Sequence, residues 1–151
     1  MYFVVTIGLM VVLPIASVIV HLLVAPGSDP LFLVGQWFTF WGIGLRLLLA
    51  GASQVIRPDF TATKIFGVTE QASDIVRELG FANLAFGLIA ILSLPFVQFL
   101  MPAAIAGGLF LGLDGIMHAL RRDRNRKETI AMATDLVVAA AVVVFLVGAG
   151  L

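Results

Sequence analysis

The chain has 151 residues, 61% hydrophobic and 12% charged, with a mean hydropathy of +1.12 and a formal net charge of +0. A soluble domain carries about a quarter charged residues and is about half apolar, so this composition excludes that class and selects a membrane protein. There is no cysteine, which excludes disulfides, thiolate metal sites, iron–sulfur clusters and disulfide exchange with a quinone.

Apolar runs long enough to span a bilayer fall at 3–25, 32–55, 78–95, 97–120 and 129–150, which predicts an all-α polytopic bundle of five transmembrane helices in one membrane domain, 1–151. The first run has no basic n-region and no small-x-small cleavage site, so it is expected to be a retained helix. Pro14 is expected to kink it. The third and fourth runs form one stretch too long for a single helix, and Pro95 and Pro102 in "SLPFVQFLMP" are expected to break it into a hairpin.

With five spans, the N-terminus and the 56–77 and 121–128 loops share one side. These loops hold Arg57, Lys64, Arg77, Arg121, Arg122, Arg124, Arg126 and Lys127, eight of the nine cations. The positive-inside rule makes that face cytoplasmic and puts the C-terminus outside. "RRDRNRK" then serves topology and anionic lipid headgroups rather than nucleic acid. Trp37 and Trp41 fall toward the outer end of the second span, as an aromatic belt requires. The 56–77 segment alternates Phe60, Ile65 and Phe66 with Asp59 and Lys64 and is expected to lie at the interface. Thr69 is expected to cap a helix whose first turns carry Glu70 and Asp74.

The ninth cation is Arg46 in "WGIGLRLLLAGASQ", about 14 Å inside the cytoplasmic end of its span. An arginine at such depth must face protein or water and find a partner. Asp114 and Asp135 come out about 10 Å inside the same boundary. Asn83 enters at a similar level, with Glu78 and His118 nearer the water. These six residues form the candidate ligand-binding site, and Arg46 is expected to hydrogen-bond Asp114, Asp135 or both. Small residues accompany the polar ones, as on helix contact faces in lipid: Gly35, Thr39, Gly42, Arg46, Ala50 and Ser53 share a stripe, as do Ala131, Asp135 and Ala139. Gly108, Gly112 and Gly115 lie on a separate small-residue face of the fourth span, suited to a close neighbour, a partner protein or a second copy.

The cluster reads equally as a lock between helices and as a functional pocket. Asp114 and His118 at D-x-x-x-H, with Glu78 and Asp135, sketch a metal site, but the Glu-x-x-His pair on each of two helices is absent, so no metal is expected. His21 lies far along the chain's first span from the level of His118, which argues against bis-histidine haem ligation. No nucleophile elbow, phosphate loop or dinucleotide fingerprint occurs. No catalytic residue or cofactor is expected.

"GLRLLLAGASQVIRPDF", followed some twenty residues later by "ELGFANLAFGLIAIL", resembles the opening of the DoxX-like family of small bacterial membrane proteins, most closely its uncharacterised members. Arg46, Gly51 and Glu78 carry the resemblance. It implies a four-helix bundle over residues 31–151, with residues 1–30 as an added span. It also implies kinship with membrane subunits associated with thiosulfate:quinone oxidoreduction or other redox partners. Three functions follow as expectations. The first is a non-enzymatic accessory or assembly subunit of a membrane complex. The second is a binder of a quinone or another lipophilic or anionic molecule at the Arg46 cluster. The third is a small proton-coupled transporter using Asp114 or Asp135, which the absence of inverted repeats disfavours.

Overall fold

The computed structural model describes residues 2–66, 69 and 72–151, with the side chains of Tyr2 and of residues 64–66 excepted. Among the described residues there is no strand. Five helices are long and apolar enough to cross a membrane: α1 (Phe3–Val24), α2 (Pro30–Ile56), α3 (Ser73–Leu92), α4 (Val97–Leu120) and α5 (Arg126–Gly148). Their outward faces are apolar, with Val4, Leu23, Ile75 and Leu120 each at least 70% exposed. Such a surface needs hydrocarbon around it rather than water.

Each connection has a local cause. Asp29 accepts from the Leu31 amide at 2.9 Å and Pro30 opens α2, a side-chain cap followed by a residue with no amide hydrogen to satisfy. α3 stops at Leu92, where the Ser93 hydroxyl donates to the Ala90 carbonyl at 2.6 Å ahead of Pro95. Pro102, expected to share in this break, instead sits in the first turn after the short 3-10 stretch Val97–Phe99, and the helix runs on through it. A first-turn amide has no intrahelical partner, so a proline there costs little. α5 begins with a capping box. Asn125 Oδ1 accepts from the amides of Lys127 and Glu128 at 2.8 and 3.0 Å, and Glu128 Oε2 accepts from the Asn125 amide at 2.9 Å.

α3 starts at Ser73, ahead of the apolar run that opens at 78, and its first turn carries Asp74 as expected. Its N-cap residue is Ala72, without a side-chain cap, and the Thr69 carbonyl accepts from the Ala72 amide at 3.0 Å. Glu70 lies outside the described residues. At Pro14 the distortion takes a specific form. Residues Gly8–Val12 form a π-turn in which the Leu13 amide donates to the Gly8 carbonyl, redirecting hydrogen bonds ahead of a residue that has none to give.

α2 and α3 touch backbone to backbone. A Cβ on Gly51 would lie 2.7 Å from the Gly80 carbonyl oxygen and 2.9 Å from the Leu84 nitrogen. One on Gly87 would lie 2.8 Å from the Leu48 nitrogen and 3.0 Å from the Gly44 oxygen. Glycines spaced by seven on both helices therefore set the interaxial distance. The core lies where α1, α2, α4 and α5 meet, at Met10, Ile43, Ala104, Val138 and Val142, all fully buried.

Candidate functional site

The small-residue face of α4 is occupied within the chain. A Cβ on Gly108 would meet Val142 at 2.8 Å, and one on Gly115 would meet Leu136 at 2.9 Å; Gly112 faces Ala139. The close neighbour predicted for Gly108, Gly112 and Gly115 is thus α5, which leaves that face closed to a partner protein or a second copy. This contact brings Asp135 on α5 against Asp114 and His118 on α4. One ligand atom from each of the three lies within 4.8 Å of the others. His118 Nε2 stands 3.7 Å from Asp114 Oδ2, with the His118 side chain 17% exposed and that of Asp114 46% exposed. Asp135 is buried, at 2% exposure.

α2 supplies the fourth member. Gly42 packs against Val138, one turn before Arg46 comes toward the level of Asp135. Arg46 and Asp114 are the charged groups that act electrostatically on Asp135. The expected hydrogen bond is absent: among the described residues no ion pair within 4.0 Å includes Arg46, and its Nε is buried without a partner. Asp135 is instead drawn together with Asp114 and His118, across the close glycine contact of α4 with α5. Immediately before Arg46, residues Phe38–Leu45 form a π-helical stretch, and the Thr39 hydroxyl inside it is also buried without a partner. Stretches of this kind occur often at functional sites.

The remaining predicted residues lie elsewhere. Asn83 is buried, but its Nδ2 donates to Oε1 of Gln54 at 2.7 Å, nearer the basic end of α2 than Arg46. Glu78 is exposed on the first turns of α3. Gln54 went unrecognised in the sequence, although it shares a helix face with Leu47 and Gly51, both of them buried. Trp37 and Trp41, both partly buried, contact α1. Trp41 Nε1 donates to the Ser17 hydroxyl at 3.0 Å, and Trp37 meets His21 edge-on at 6.1 Å. The basic loop is ordered by its own bonds. Arg124 donates to the carbonyls of Ala119 and His118 at 2.6 and 3.1 Å, closing the end of α4, and Arg121 pairs with Glu128 at 2.9 Å.

A sequence model for a family of unknown function, DUF6790, matches residues 3–150, so it takes in all five helices. The chain belongs to that family. No curated protein and no solved structure matches it. The family match treats α1 as part of the same unit as α2–α5, in keeping with Met10 in the common core.

Proposed function

We propose that this DUF6790 chain is a non-enzymatic, multi-pass protein of the bacterial inner (plasma) membrane, an accessory or assembly subunit that holds a small ligand at Arg46, Asp114, His118 and Asp135. The ligand site rests on one observation: the cluster is assembled but unsatisfied. A lock between helices gains its stability by closing ion pairs and hydrogen bonds. Here Asp135 makes no hydrogen bond among the described residues, and Arg46 Nε and His118 Nδ1 are buried without partners. Buried groups left in that state point to a missing partner.

The orientation in this reading has the N-terminus in the cytoplasm and the C-terminus outside. It is supported by the eight cations that fall between α2 and α3, between α4 and α5, or in the first turns of α3 and α5, against none in the 25–29 and 93–96 connections. Exposed Arg57, Arg122 and Lys127 at that end suit anionic headgroups. The resemblance to DoxX-like proteins belongs to the same reading, and Gly51, one of the residues that carries it, has a physical role at the α2–α3 contact.

Native mass spectrometry of the chain released from its own membranes tests the ligand site. The expected result is a bound small species that Asp135→Asn loses. A quinone or another anion at Arg46 would be separated from other ligands by its mass. Ligand-free wild-type protein, together with full stability in an Arg46→Leu, Asp114→Asn, Asp135→Asn triple variant, would show a lock instead.

A further inference from the structure

We propose that Asp114, His118 and Asp135 form a binding site for one divalent first-row transition-metal ion, an inference that rests on the ligand-site reading above and names its ligand. The three side chains come from two helices whose spacing is set by Gly108, Gly112 and Gly115 against α5. Asp114 and His118 stand four residues apart on one face of α4, and Asp135 closes the set from α5.

The geometry is close to that of a metal centre. Donor atoms bound at about 2.0–2.2 Å lie about 3–4 Å from one another around a common ion. The three donors lie within 4.8 Å of one another, and the His118–Asp114 pair is already at 3.7 Å. Closing the rest takes small side-chain rotations rather than helix movement.

Two further observations point to an ion rather than to a self-satisfied cluster. Asp135 is 2% exposed and forms no hydrogen bond among the described residues, though its carboxylate faces the other two donors. Neither His118 nitrogen is tied up in a hydrogen bond among the described residues: Nε2 stands 3.7 Å from Asp114 Oδ2 and Nδ1 is buried without a partner, so the ring is available to ligate. Asp114, by contrast, is 46% exposed, which leaves room beside it for further ligands to complete the coordination. One imidazole and two carboxylates suit manganese, iron, cobalt or zinc. Calcium and magnesium favour all-oxygen shells with more ligands.

Arg46 adds a prediction of sign. Its charge acts on Asp135, so it opposes a cation and would favour an anionic ligand. Removing that charge should therefore tighten metal binding, whereas it would weaken binding of a quinone headgroup or other anion.

The full chain in detergent, stripped with a chelator, is titrated calorimetrically with Zn²⁺ and followed by its visible spectrum with Co²⁺. The expected result is one ion per chain and a Co²⁺ spectrum with nitrogen ligation. Binding should weaken more than about tenfold in Asp135→Asn and His118→Gln, since losing a ligand outweighs losing a supporting contact. It should tighten in Arg46→Gln and stay unchanged in Glu78→Gln. Asp114→Asn, at a half-exposed position, gives the same loss even where the buried variants fail to fold. Absence of Zn²⁺ and Co²⁺ binding by the wild type, or binding indifferent to Asp114→Asn, overturns the metal site. An organic mass lost in Asp135→Asn, without metal binding, would overturn the metal and leave the ligand-site reading standing.

Discussion

Asn83 on α3 donates from Nδ2 to Oε1 of Gln54 on α2 at 2.7 Å, and both side chains are at most 5% exposed. The bond sits beside the contact of Gly51 with Gly80, where the two backbones come closest. Removing one partner leaves the other buried and unsatisfied, while removing both leaves neither. Asn83→Leu and Gln54→Leu should each lower stability by about 0.5–2 kcal/mol, and the double variant should lose clearly less than the two added together. Thermal unfolding of the four proteins in one detergent measures this; additive losses would mean that the bond contributes nothing.

The glycine contacts predict a graded series. Gly51→Leu and Gly87→Leu place new atoms into backbone less than 3.0 Å away, so each should destabilise by about 1–3 kcal/mol or more through overpacking. Gly112→Ala meets only Ala139, at 3.5 Å, and Gly8→Ala meets nothing within 4 Å. Both should leave the melting temperature nearly unchanged. Equal losses across the series would show that α2 and α3 can separate without consequence.

Arg46 should be less important to stability than a direct ion pair would make it. Truncating one member of a closed buried pair costs about 3–5 kcal/mol. Because no carboxylate of the described residues pairs with Arg46 within 4.0 Å, Arg46→Met should fall well short of that figure in a melting experiment. A loss of the full size would show that the guanidinium closes on Asp135 in the bilayer.

Reporter fusions decide the orientation. A fusion within 121–127 should report the cytoplasm and one after Leu151 the outside; the reverse pattern would overturn the charge argument.

Span number and approximate bounds were legible because hydropathy and helix length are properties of composition along the chain. The apolar window of α3 opens only at 78, but acidic residues suit a helix start, and Asp74 does lie in the first turn of α3. The meeting of Asp114, His118 and Asp135 followed from depth counting on α4 and α5, both of them regular helices. Asn83 was misplaced because depth was counted without its partner, and only the glycine register between α2 and α3 shows that it faces Gln54. The π-helical stretch Phe38–Leu45 left no mark in composition, because it changes which carbonyl each amide reaches rather than which residues are buried.

The Arg126 guanidinium lies over the Phe3 ring, 5.5 Å from its centroid. Phe3 lies on α1 and Arg126 opens α5, so this contact forms only after four helices have been synthesised. α1 has an earlier anchor in Trp41 bonding to Ser17. α1 is therefore joined to α2 at Ser17 as soon as the second helix is made, and gains its contact with α5 only when the fifth is complete.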